Sequence, residues 1–337
     1  MPFKTLQNIK NIFKNENKFF AKENFVEEIQ ISEYIYLFNQ FDFINISHTQ
    51  SPGYYLDEEK PKYLKVYNKN NIIAITVVTQ KRILKNLIQI IRLNNGPLIC
   101  NKNSHNKELI LNLIMGFIRK KFGRLISFSP SYIYDDENLI KRIFTLKLKI
   151  EPWATSLIKL DMDEFELLSR IKQKWRNTLK KGLKICEIKE VTDFREFQSI
   201  FNEYKSYALK IGFKSISEKK CKGWFKNMHE KNNLLSLKVF QASYKEDTKK
   251  KLGSIGILEY KKRSLYLFGF TTNLGRKYQA NSALLWRAIM YSKNNNFKEF
   301  DLGGLNNTTP KGIRRFKESL NGTLEICPGE YFNISIF

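Results

Sequence analysis

One order of apolar runs occurs twice along this chain, and it limits what the chain can fold into. In the first half, strand-length runs near 62–68, 71–80 and 87–92 precede a helix at about 105–121, a strand at 124–129 and a helix near 136–144. In the second half, strands near 234–242, 252–260 and 264–271 precede helix 281–294, strand 298–302 and helix 311–319. Three consecutive strands make a meander, and a strand–helix–strand crossover makes a parallel pair. Each half therefore predicts a mixed α/β sheet. A strand near 26–31 and a helix near 32–41 lead the first half. A strand at 155–160, a long basic helix from about 163 to 182, a strand at 185–191 and helices near 193–211 and 217–230 lead the second, and a terminal strand pair closes it. The joint is expected near KIEPWAT (149–155), where Pro152 interrupts an apolar run, giving domains 1–150 and 151–337.

Bulk properties agree with two packed units. The chain has 337 residues, and 42% hydrophobic with 14% aromatic content is enough to build real cores. No run approaches the roughly 18 apolar residues of a membrane span, and NIIAITVV (71–78) has the length and branching of a buried strand. The N-terminus lacks the pattern of a signal peptide. It reads as a basic amphipathic helix with Phe3, Leu6, Ile9, Ile12 and Phe13 at helical spacing, either packed or lying on an anionic membrane surface. Cys100, Cys186, Cys221 and Cys327 have no C-x-x-C spacing, so no metal site is expected and the chain reads as reduced and cytoplasmic. A formal net charge of +25 favours a polyanionic partner, although richness in Lys, Asn and Ile also fits AT-rich coding.

The most suggestive stretch is EFDLGGLNNTTPKGIRRFKESLNG (299–322). An apolar strand runs into Asp301 and the pair Gly303-Gly304, which permits positive φ and close backbone approach. The short helix that follows brings Arg314, Arg315 and Lys317 close enough together to meet a phosphate or carboxylate. A second candidate is RIKQKWRNTLKKGLK (170–184), with Arg170, Lys172, Lys174, Arg176, Lys180, Lys181 and Lys184 over about four turns. Leu168, Ile171, Trp175 and Leu179 form an apolar stripe on the same helix, so its basic face either binds polyanion or is simply solvated.

Three motifs carry a resemblance. WATSLIKLDMDEFELLSRIKQKWRNTLKKGLK (153–184) is similar to a W-x-T strand followed by a helix ending in K-x-R-x-x-x-x-K. LYLFGFTTNLGRKYQANSALLWRAIMYSKNNNFKEFDLGGLN (265–306) is similar to a strand, an LL-W-x-A helix and a D-[FL]-G-G turn. FKESLNG (316–322) resembles a closing F-K-x-x-F-G-G. Together they resemble the FemABX-like family, which builds peptidoglycan interpeptide bridges on a tandem GNAT-like fold. The first half matches more weakly, through TQS (49–51) and NNGPLI (94–99).

The resemblance implies a fold and a division of labour. The fold is a pair of tandem α/β GNAT-like domains. Lys317 would hold an anionic part of a substrate, and Tyr266 would lie on the strand lining a substrate channel. Lys210 stands where the family has a phosphate-contacting arginine, a point charge in place of a bidentate fork. In QSPGYYLDEEK, Tyr54 replaces an expected Trp, Glu58 an expected Lys, and Lys60 follows two residues on. Asp301 is the obvious carboxylate to accept a proton, or else it caps the glycine turn. An aminoacyl ester is already activated, so no single indispensable base is expected.

The donor is argued from a loop. In GRKYQANS (275–282) only Gly275 remains of the glycines that let a pyrophosphate approach, while Gln279, Ala280 and Asn281 fill the other positions. Asn281 or Ser282 would cap the helix that follows. The resemblance then implies aminoacyl-tRNA as co-substrate, with no bound cofactor and no metal. The acceptor would be an amine on the stem peptide of a lipid-linked or nucleotide-linked peptidoglycan precursor, met at the inner face of the membrane. Two other readings stay open: a CoA-dependent N-acyltransferase acting on a sugar or polysaccharide precursor, and a non-enzymatic basic module.

Overall fold

The computed structural model describes residues 24–334 apart from 57–58, 84–86, 124, 135, 145, 148–152, 228–234 and 307–308. The N-terminal helix, Glu58 and Pro152 lie outside the described residues. The first sheet takes the order β1 (Asn24–Ile29), β2 (Lys62–Asn68), β3 (Asn71–Ile83), β4 (Ile88–Asn94), β6 (Leu125–Ser129), β15 (Tyr331–Ile334) and β7 (Leu146–Lys147), and β5 (Leu98–Ile99) also pairs β3. The second takes the order β14 (Thr323–Ile326), β8 (Ala154–Lys159), β13 (Glu299–Asp301), β12 (Arg263–Thr271), β11 (Asp247–Tyr260), β10 (Ser236–Tyr244) and β9 (Cys186–Val191).

The repeated pattern becomes a repeated topology. In each sheet an antiparallel meander (β2–β3–β4 and β10–β11–β12) ends in a helical crossover to a parallel neighbour. Here β4 runs parallel to β6 and β12 to β13. The two mixed sheets are the pair of mixed α/β units expected from the repeated pattern. The crossover helices supply the cores. In the first, α2 (Lys107–Lys121), Ile110, Leu111, Ile114, Met115 and Ile118 are buried against the sheet. Full burial of such side chains contributes about 1.5–3 kcal/mol each, before the entropy of ordering them. The matching helix of the second sheet, α9 (Ala280–Asn294), buries Leu284, Leu285, Ala288 and Ile289.

Two expectations need correction. The two terminal strands do not pair with each other: β14 pairs β8 of the second sheet, and β15 pairs β6 and β7 of the first. Pro328 and Gly329, the latter at φ 113°, separate them and redirect the chain. The long basic helix is also two helices, α4 (Glu164–Arg170) and α5 (Gln173–Ile185). Ile171 and Lys172 between them have extended backbone (ψ 140° and 139°). The break is held by the far end of the chain, since Lys172 N–H donates to Ser319 O at 3.0 Å and Asn321 Nδ2 to Arg170 O at 2.7 Å.

The turn joining β11 to β12 locks the sheets together. Lys261 donates to Phe38 O at 2.8 Å and to Phe41 O, at the C-terminal end of α1 (Ile31–Gln40), whose last turn has no basic residue. Its ammonium also lies 4.6 Å from the Phe43 ring centroid. Beside it Arg263 donates to Ile46 O at 3.1 Å while its guanidinium grips Glu299.

Candidate active site

The site is made by a pairing that stops. Only Arg263–Leu265 of β12 pair with Glu299–Asp301 of β13, yet β12 continues to Thr271. A bulge near Leu267, where Gly256 faces Phe268 but Ile257 faces Tyr266, bends the strand at the same point. The gap is the mouth of a cleft of about 990 Å³. Tyr266 to Thr271 form its floor, Tyr204 and Tyr207 of α6 (Phe194–Lys210) one wall, and α10 (Lys311–Glu318) the other.

Lys317 faces this cleft and is only 7% exposed, the one buried residue of α10. Its ammonium donates to Gly304 O at 3.0 Å and sits 5.3 Å from the Tyr266 ring centroid. Burial pulls its pKa down to about 8, against the opposing pull of Asp301. Such a group is charged near neutral pH yet poorly solvated, which suits it to receive a negative atom. Tyr266 is half-buried under it, and the loss of solvent around its hydroxyl, with Tyr207 and Tyr204 nearby, raises its phenol well above the ordinary value. Its hydroxyl occupies the space where a Cβ on Gly269 would stand.

Asp301 supports this arrangement from behind. It is 2% exposed, does not line the cleft, and accepts from Thr155 Oγ1 and from Gly303 N–H at 2.8 Å. Gly303 has φ 70°, and a Cβ there would lie 2.8 Å from Tyr266 O, so the turn requires glycine. The carboxylate thus fixes the turn whose next carbonyl, on Gly304, holds Lys317. Burial raises the Asp301 pKa, opposed by the hydrogen bonds from Thr155 and Gly303.

The expected site residues are not all brought together. Arg315 is exposed and lines the cleft, whereas Arg314 does not line it and pairs with Glu318 at 2.8 Å. Lys172 and Lys174 also line it. Arg170 is paired to Glu166 at 2.7 Å, and Arg176 donates to Leu168 O and Ser169 O across the helix break. Lys180 and Lys181 are exposed further along α5 and do not line the cleft. Lys210 lies outside it, in an adjoining groove of about 650 Å³ shared with Arg276 and Tyr207. Lys60 is exposed at φ 44° and lines neither space. Tyr54 is packed: its ring stacks on Trp224 at 5.5 Å, with the Lys220 ammonium 4.5 Å from its centroid.

The start of α9 differs from the expectation. Neither Asn281 nor Ser282 caps it; Gln279, at φ 59° and without a side-chain cap, precedes the helix, and both expected caps lie in its first turn. A short helix, α8 (Asn273–Lys277), comes before it, capped by Thr272 on Gly275 N–H. Crowding arises instead from α5. A Cβ on Gly182 would lie 2.7 Å from Gln279 O, and the Thr178 and Ser282 hydroxyls are 3.0 Å apart. Gln279, Asn281 and Ser282 nevertheless line the inner cleft.

Sequence reading missed the aromatic wall of Tyr204 and Tyr207, and the buried charges behind the turn. Arg263 is 6% exposed with Glu299 as partner. Burial raises Glu325 to about 7 and lowers His48 to about 4, the charges of Arg263 and Lys220 adding to the His48 shift. Burial also pushes Cys100 to about 11 and Cys221 and Cys327 to about 12, so none of the three is a ready thiolate nucleophile. Among the described residues no cluster of three or more His, Cys, Asp or Glu is placed to hold a metal ion, and no helix is long and apolar enough to cross a membrane.

Residues 215–336 match the model of the FemAB family. That stretch contains Tyr266, Asp301, Gly303, Gly304, Arg314, Arg315 and Lys317, and leaves out Lys60, Lys210 and the basic residues of 170–181. Among solved structures, FemX matches with a TM-score of 0.74 at 14% identity, over 92% of this chain and 97% of that one. L-PGS from Bacillus licheniformis matches at 0.56 and 10% identity, over 92% and 94%. A conserved protein of unknown function from Bacteroides thetaiotaomicron matches at 0.55 and 8%, over 93% and 99%. At these identities the likeness is one of fold. No curated protein matches.

Proposed function

We propose that this chain is an aminoacyltransferase, moving an amino acid from charged tRNA to an amine on the stem peptide of a peptidoglycan precursor, at the inner face of the cell membrane. One observation carries the reading: a buried, partly desolvated Lys317 placed over Tyr266 where β12 and β13 part. The FemAB match over the same residues and the FemX-like fold support it.

The reaction asks for placement more than for a strong base. The acceptor amine adds to the ester carbonyl, the ester C–O bond breaks, and the proton lost from nitrogen ends on the released ribose oxygen. Negative charge gathers on the carbonyl oxygen between those events. The Lys317 ammonium meets that charge, fixed by Gly304 O and by the turn that Asp301 and Thr155 secure. Tyr266 and the aromatic wall exclude water. Lys172, Lys174 and Arg315 at the cleft take phosphates of the tRNA acceptor end, with Lys180 and Lys181 further out. Lys210 and Arg276 in the adjoining groove face the phosphates of the precursor.

The acyl-CoA reading keeps one observation in its favour: the cleft reaches the first turn of α9. Against it, α5 lies directly on that turn at Gly182 and Thr178. The test is to incubate the protein with a pool of charged tRNAs and lipid-linked precursor and weigh the precursor. A gain of one aminoacyl residue is expected. No gain, with acetyl transfer from acetyl-CoA to a sugar amine instead, refutes the proposal.

A further inference from the structure

Helix α6 ends in a hydrogen-bonded turn whose apolar side chains are left uncovered. Gly212 has φ 71°, Phe213 N–H donates to Ala208 O at 2.8 Å, and Gly212 N–H to Leu209 O at 3.1 Å. This is the hydrogen-bonded closure of a helix on a left-handed glycine, in which the next apolar residue usually packs back on the helix. Here Phe213 is 57% exposed, Leu209 82% and Ile211 44%. Lys210 and Lys214 are exposed beside them. Ile211 and Phe213 also line the large cleft, as does Ile313 of α10, itself 37% exposed between exposed Lys311 and Arg315. Exposed apolar side chains and exposed cations therefore lie together at and beside the opening of this cleft.

We propose that this rim docks on a lipid surface carrying anionic headgroups, with Leu209, Ile211 and Phe213 entering the boundary between headgroups and acyl chains. The mixture of residue types selects that occupant. Apolar side chains gain little from a phosphodiester backbone, and a second copy would bring like-charged lysines into the contact, in a chain of net charge +25. A bilayer satisfies both kinds: its acyl boundary takes up the apolar side chains, and its anionic surface holds the lysines. Docking would turn the cleft toward the membrane, where a lipid-linked acceptor could enter without leaving the bilayer. That consequence rests on the proposed aminoacyl transfer. The docking itself needs no substrate, so the two can fail separately.

The test sediments the full chain with vesicles of phosphatidylcholine alone and with vesicles containing roughly one-third phosphatidylglycerol. Binding is expected only to the anionic vesicles, weakening with salt. The double variant Leu209→Gln with Phe213→Ser should lower the partition constant by about tenfold or more. Its melting temperature should hold, because both side chains are exposed. Phe213→Trp should shift its emission to the blue on adding anionic vesicles. Absent binding, or binding that the double variant leaves unchanged, overturns the proposal. So does a variant that loses tRNA affinity while keeping vesicle affinity, or one that dissolves a dimer of this chain.

Discussion

Replacing Lys317 by Met separates the cost of burying a charge from the use made of it. The side chain keeps most of its length and loses its titration. Burial drops the Lys317 pKa from 10.5 to about 8, which corresponds to about 3 kcal/mol disfavouring the ammonium in the folded state. In the unfolded chain the proton binds more tightly, so between about pH 8 and 10.5 the unfolded state holds more protons than the folded one. Unfolding free energy from this group therefore rises with pH across that window. Other lysines and tyrosines titrate there too, but they are common to both proteins and largely cancel in the difference. Urea unfolding followed by tryptophan fluorescence, at pH 7 and pH 10, should show the wild type gaining about 2–3 kcal/mol relative to Lys317→Met. Activity should be lost in the variant at both pH values. The kcat/KM of the wild type should fall above about pH 8, and Lys317→Arg should move that limb upward if it retains activity. Parallel stability curves, or an active Met variant, would refute the reasoning.

Other outcomes follow from single contacts. Arg263→Met leaves Glu299 without its buried partner and frees Ile46 O, so unfolding free energy should fall by about 3–5 kcal/mol in denaturant titrations. Gly275→Ala would drive a Cβ into Leu252 O and should cost at least about 2–3 kcal/mol, read as a lowered melting temperature. Thr155→Val removes a donor to Asp301, and Thr155→Ser restores it; activity should drop about tenfold in the first and recover in the second. Lys172→Gln with Lys174→Gln should weaken charged-tRNA binding and flatten its salt dependence by roughly 1.5–2 units of log–log slope.

Much of the fold was legible because it is written in local periodicity. The two meanders and their crossover helices fall within a few residues of the runs that announced them. The break at Ile171 and Lys172 was invisible for the same reason. Leu168, Ile171, Trp175 and Leu179 keep helical spacing through it, while its cause, Ser319 O and Asn321, lies about 150 residues away. Likewise the terminal strands look alike in sequence, and only their partners place them in different sheets. In the site, Asp301, Gly303, Gly304, Arg315 and Lys317 could be found because one strand, one turn and one helix carry them all. Tyr204 and Tyr207 could not, since an aromatic on a helix face reads first as core. The depressed Lys317 pKa is a property of burial, which no spacing of residues reveals.

The donor decides between the two chemistries, and equilibrium binding decides the donor. Charged tRNA and acetyl-CoA should each be titrated into the protein at several salt concentrations, with a Lys172→Gln, Lys174→Gln variant alongside. Saturable tRNA binding that weakens steeply with salt and in the variant, with no stoichiometric uptake of acetyl-CoA, is the expected result. Stoichiometric acetyl-CoA binding against the first turn of α9, with indifference to charged tRNA, would contradict it.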